Sequence, residues 1–86
     1  KAIADYTQAL NIDPKFKEAY NNRGNAYDEQ GRYAEAIADY TQALNIDPQD
    51  KEAYYNRGNA YWGQRQHVKA IADYTQALNI DPKFKE

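Results

Sequence analysis

The sequence predicts an all-α chain of stacked antiparallel helix pairs, and three observations predict it. The thirteen-residue string Ala-Ile-Ala-Asp-Tyr-Thr-Gln-Ala-Leu-Asn-Ile-Asp-Pro begins at Ala2, Ala36 and Ala70, a constant spacing of 34 residues. A fixed period of that length belongs to repeat architectures, where each unit covers its apolar face by packing on its neighbour. Between the strings, apolar residues recur at helical rather than strand spacing. Each string then closes on Asp-Pro, and proline disfavours helix in the residue before it.

The elements follow in order. Lys1–Ile12 reads as a helix carrying Tyr6, Ala9 and Leu10 on one side. Lys15–Gln30 reads as the next, because Tyr20, Gly24 and Tyr27 lie at i, i+4 and i+7 and share a face. An interior glycine costs a helix roughly 1 kcal/mol against alanine, so Gly24 predicts the close approach of another backbone. Gln30-Gly31-Arg32 breaks the pattern as a tight turn. Tyr33–Ile46 carries Tyr33, Ala36, Ile37, Tyr40 and Leu44 on its apolar face. Asp47-Pro48 ends it and also suits the next start, with Asp47 as N-cap and Pro48 at the first helical position. Gln49–Gln64 and His67–Ile80 repeat the pair. The expected organisation is a partial repeat over 1–16, full repeats over 17–50 and 51–84, and a stub at 85–86. Lys1–Glu18 and Lys69–Glu86 are identical. Such identity suggests recent duplication, engineering or a slice of a longer array, and a chain without methionine even at its start fits a fragment, a processed product or an engineered piece.

Composition narrows the chemistry. With 86 residues the chain allows one small domain. Eleven basic and 13 acidic residues give a net charge of −2, which argues against nucleic acid or a membrane surface as partner. No apolar run is long enough to span a bilayer. Serine and cysteine are absent, so a serine nucleophile, a disulfide framework and thiol chemistry are all excluded. His67 is the only histidine, too few for a metal site without cysteine, and it sits where Tyr33 sits in the other unit. The four glycines are dispersed and form no phosphate loop. The chain is expected to be no enzyme and to bind no cofactor or metal. A mean hydropathy of −1.10 requires a core built from tyrosine and alanine.

Tyr20, Gly24, Tyr27, Ala36, Tyr40, Ala43 and Pro48 recur as Tyr54, Gly58, Tyr61, Ala70, Tyr74, Ala77 and Pro82, with Ala2, Tyr6, Ala9 and Pro14 in the opening half-unit. In this pattern the whole chain resembles tetratricopeptide repeats. The resemblance implies a right-handed superhelical solenoid whose concave groove, lined by the first helix of each unit, binds an extended peptide or a partner helix; it implies neither catalysis nor a cofactor. Some members of the family grip a C-terminal carboxylate with lysine and arginine beside groove asparagines. Here the lysine position holds Asn21 or Tyr55. Arg23 and Arg57 stand where the family usually has leucine. Each is expected to pair with Asp39 or Asp73 and to lie along tyrosine rings. In the second unit Gly31 corresponds to Arg65, a glycine appears earlier at Gly63, and Trp62 replaces Asp28, so 62–68 departs from the repeat.

Two surfaces are candidates. Asn22, Asn25, Asn56 and Asn59 lie off the tyrosine face and should point into the groove. There a side-chain amide can donate to and accept from peptide backbone at once. Tyr55 and Trp62 share a face with Asn59, the counterpart of Asn21, Asn25 and Asp28, and form a candidate aromatic anchor. The expected function is therefore protein–protein interaction through a peptide or partner helix. The alternative is a structural or engineered building block that self-associates end to end through Tyr6, Leu10, Tyr74 and Leu78.

Overall fold

The computed structural model describes residues 2–84. It contains α1 (Ala2–Ile12), α2 (Lys17–Glu29), α3 (Tyr33–Ile46), α4 (Lys51–Gly63) and α5 (His67–Ile80). The described residues contain no strand. Connections of three or four residues turn each helix back on the last. Two close pairs result, α2 with α3 and α4 with α5. α1 packs on α2, α3 packs on α4, and the first helices α2 and α4 also touch. The array is an all-α solenoid measuring 34 × 24 × 18 Å. No helix of the described residues is long and apolar enough to cross a membrane.

α3 and α5 begin and end as the periodicity predicts. α2 and α4 begin two residues later than expected, and the cause is a different cap. Asp47 does not cap α4. Its Oδ1 accepts from the Gln49 N–H at 3.0 Å and ties Pro48 into a turn after α3. The cap is Asp50, whose Oδ1 accepts from the N–H groups of Glu52 at 3.1 Å and Ala53 at 3.2 Å. At the start of α2 the same position is Phe16, which offers no side-chain cap. Lys1, expected to open the first helix, lies outside the described residues.

The core is built from alanine and tyrosine. Ala36, Tyr40 and Ala60 form one buried cluster, flanked by Tyr27, Tyr33 and Ile37. Ala43, Leu44 and Ala53 form the other, flanked by Tyr20 and Tyr54. Tyr40 is fully buried because its ring lies on Gly24: a Cβ there would sit 2.7 Å from Tyr40 Cε1. Gly58 receives Tyr74 in the same way, with the Ala70 carbonyl also near. The expected close neighbour of Gly24 was a backbone, and it is chiefly an aromatic ring. Gly63 takes a ring too, since a Cβ would meet Tyr33 carbons at 2.6 Å. The displaced glycine thus has a packing reason.

The turns keep one geometry despite that displacement. Gly31 has φ +75° and Arg65 has φ +63°. Arg32 N–H donates to Tyr27 O, and Gln66 N–H to Tyr61 O, both at 2.9 Å. Residues 62–68 leave the repeat in sequence, but the backbone turn is retained.

The arginines at the leucine position tie three helices together. Arg23 donates from Nε and Nη2 to both oxygens of Asp39 on α3, each at 2.8 Å. Its Nη1 donates to Thr7 Oγ1 on α1 at 3.0 Å, and Thr7 donates to the Ile3 carbonyl. Arg57 repeats the arrangement with Asp73 on α5 and Thr41 on α3. Both guanidiniums also lie near two tyrosine rings, Tyr20 and Tyr27 for Arg23, Tyr54 and Tyr61 for Arg57.

Candidate functional site

The first helices α2 and α4 touch, and a hollow opens where Asn25 of α2 faces Glu52, Tyr55 and Asn56 of α4. Asn25 on α2 and Asn59 on α4 are repeat-equivalent, and a tyrosine of the following helix bonds each of them. Tyr40 donates its hydroxyl hydrogen to Asn25 Oδ1 at 2.6 Å, and Tyr74 does so to Asn59 Oδ1 at 2.5 Å. The amide oxygen is thereby engaged and the Nδ2 group remains as donor. Burial is the main cause that pushes the Tyr40 phenol well above its ordinary range, with Asp28 and Asp39 adding to it. The hydroxyl stays protonated and remains the donor.

Asn25, Glu52, Tyr55, Asn56 and Phe84 line a hollow of about 360 Å³. Two of these residues, Tyr55 and Phe84, are aromatic. The Tyr55 ring meets Phe84 edge-on at 5.5 Å and Tyr74 at 5.6 Å. Of the residues expected in the groove, Asn25, Tyr55 and Asn56 come together here. Asn22 is exposed and outside the lining, and Asp28 and Asn59 are half-buried and also outside it. Trp62 is 51% exposed and packs on His67, with ring centroids 4.1 Å apart. Tyr55 and Trp62 therefore serve different neighbours and do not make one aromatic pocket.

Sequence reasoning missed Glu52 and Phe84. A signal for Phe84 was present, because positions 16, 50 and 84 are repeat-equivalent and read Phe, Asp, Phe, while 21 and 55 read Asn and Tyr. The structure matches the two series. Asn21 Nδ2 donates to Asp50 Oδ2 at 2.8 Å, whereas Tyr55 meets Phe84. One junction between units is polar and the next is aromatic. Lysines flank both: Lys17 pairs with Asp47 at 2.9 Å and approaches Asp50, and Lys51 pairs with Asp81 at 2.8 Å. The hydrogen bond from lysine, then that from the Gln49 or Lys83 N–H, holds Asp47 and Asp81 below the usual carboxylate range.

The end residues are placed as follows. Leu10, expected in an end contact, is 7% exposed and turned into the array, so it offers no surface to a second copy. Tyr6 and Tyr74 are half-buried, and Leu78 is 47% exposed.

Family models described as "TPR repeat" match residues 1–31 and 24–64, and one described as "Tetratricopeptide repeat" matches 52–84. The chain belongs to the tetratricopeptide repeat family. Solved structures agree with this array. The TPR domain of Arabidopsis OM64 superposes with a TM-score of 0.93 at 31% identity, over 96% of this chain and 69% of that one. The first TPR of Spaghetti (RPAP3), bound to the HSP90 peptide SRMEEVD, gives 0.92 at 28%, over 95% and 65%. MamA gives 0.89 at 28%, over 94% and 47%. This tetratricopeptide array thus spans less than two thirds of the length of the last two.

Proposed function

We propose that the groove of α2 and α4 holds an extended peptide or a partner helix. The observation that carries this is the pair of asparagines, Asn25 and Asn59, fixed from behind by buried or half-buried tyrosine hydroxyls with their amide donors left for a ligand. Preorganised donors beside a concave hollow suit the capture of backbone carbonyls. A peptide in the matched Spaghetti structure supports the same reading. The test is titration of the chain with labelled peptides, SRMEEVD among them, followed by anisotropy and by Trp62 fluorescence. Asn59→Ala should weaken binding roughly five- to ten-fold, the loss of about one net hydrogen bond, with helicity retained. Trp62→Ala should weaken it only where the ligand reaches the α4–α5 turn. Equal affinity for wild type and Asn59→Ala would remove the asparagines from the site.

A second reading has one observation of its own. On α3, Leu44 is 8% exposed under α4, whereas its equivalent on α5, Leu78, is 47% exposed and Ile71 is 57% exposed. In this reading copies of the chain associate through that face of α5. Sedimentation over a concentration series tests it, and a strictly monomeric chain would rule it out.

A further inference from the structure

The cations and anions of the two groove helices are treated differently by the fold. α2 and α4 carry four cations, Lys17, Arg23, Lys51 and Arg57. Each is tied to an aspartate outside those helices: Asp47, Asp39, Asp81 and Asp73 in turn. The same helices carry four anions, Glu18, Asp28, Glu29 and Glu52. None of these enters an ion pair among the described residues. Among the described residues, the lysines that open α2 and α4 are paired, and the carboxylates of those helices are not.

Two of those carboxylates are placed to meet a ligand. Glu52 lines the hollow with Tyr55 and Phe84. Asp28, one turn after Asn25 on α2, is half-buried and has no side-chain hydrogen bond among the described residues, and burial and then Glu29 push its carboxyl upward. Its charge also helps to raise the hydroxyls of Tyr40, after burial, and of Tyr74, after burial and Tyr55. The groove offers amide donors for backbone carbonyls, the Tyr55 ring for an alkyl stem or a guanidinium face, and carboxylates for a positive charge, while the Phe84 ring already carries the Lys51 ammonium 5.6 Å from its centroid.

We propose that the occupant of the groove is a cationic peptide segment, with an arginine or lysine side chain seated over Tyr55 against Glu52 and a second positive charge near Asp28. This rests on the groove reading above. It requires the opposite selectivity to a site that grips a carboxylate, because an acidic peptide would meet unpaired carboxylates and cations on α2 and α4 that are each already tied to an aspartate. Charge of this kind acts on encounter and on the choice of partner, and it is screened by salt.

The experiment uses three fluorescein-labelled, end-blocked heptapeptides, GSRGRSG, GSEGESG and GSQGQSG, titrated with the chain at low and high sodium chloride. The arginine peptide should bind about ten-fold more tightly than the glutamate peptide at low salt, and most of that preference should vanish at roughly 0.5 M. Glu52→Gln and Asp28→Asn should each weaken the arginine peptide about three-fold and leave the glutamine peptide unchanged, with unaltered helicity by circular dichroism. Equal or tighter binding of the glutamate peptide overturns the cationic assignment and leaves the groove reading standing. Arginine-peptide affinity unchanged in both variants also overturns it. Binding of none of the three overturns the groove reading as well.

Discussion

Gly24 and Gly58 show how one missing methyl decides a helix crossing. Each lets a tyrosine ring lie on helix backbone, and that ring then supports a groove asparagine through its hydroxyl. Gly24→Ala should gain roughly 1 kcal/mol in helix propensity. It should lose more than that, since a Cβ 2.7 Å from the fully buried Tyr40 ring has nowhere to go. A net loss of about 1–2 kcal/mol is expected from urea denaturation, together with weaker peptide binding as Tyr40 shifts Asn25. An unchanged midpoint would show that the ring moves aside freely. Arg57 is the other residue on which much depends. Replacing it with leucine, the usual family residue, strands the Asp73 carboxylate, which is 8% exposed in its side chain. A loss of about 3 kcal/mol is expected, and adding Asp73→Ala should restore a good part of it. A double variant as unstable as the single one would place the loss in the arginine's packing instead.

The α4–α5 turn carries a strain that the α2–α3 turn avoids. Arg65 holds φ +63° where the other unit has Gly31. A side chain in the left-handed region costs roughly 1–2 kcal/mol, and a glycine there gives part of this back through unfolded-state entropy. Arg65→Gly should raise stability by about 1 kcal/mol at most, seen as a melting temperature a few degrees higher. A lower melting temperature would mean that the arginine side chain makes a contact worth more than the strain. The sequence was legible wherever one residue type has one meaning. Tyr33–Ile46 and His67–Ile80 were readable to the residue, since a turn and a proline bracket each. Asp47-Pro48 has two meanings, a stop and a start, and the stop prevails because Asp50 is the better-placed cap. The arginine pairs followed from the cost of leaving a near-core charge alone. The hollow was only half legible: Asn25, Tyr55 and Asn56 sit on predicted helix faces, but Phe84 arrives from after α5, and helical periodicity carries no information about it.

At the scale of the whole array, pH acts on the inter-unit lysine pairs. Asp47 and Asp81 have lower values in the fold than the unfolded value of about 3.9. Their stabilising effect is present above that value and is lost as pH falls through the lower folded ones. Lys17 and Lys51 are raised, first by their hydrogen bonds to those aspartates, so their effect is lost only as pH rises beyond the ordinary lysine value of about 10.4. The melting temperature should be flat from about pH 5 to 9 and fall below about 4; a fall already complete at pH 5 would point to other groups. The three-helix ties of Arg23 and Arg57 have a consequence for how the array comes apart. In a stack, stability divides into what each unit supplies and what each boundary supplies. Arg57 binds Asp73 in its own pair and Thr41 in the pair before it, and Arg23 does the same with Asp39 and Thr7. A unit that opens thus releases a guanidinium shared with its neighbour. The penalty falls on the boundary rather than on the unit, and partial opening is disfavoured against both the closed and the fully open chain. Amides in α3 and α4 should therefore exchange with solvent deuterium at one common rate, as a single cooperative block that spans a repeat boundary.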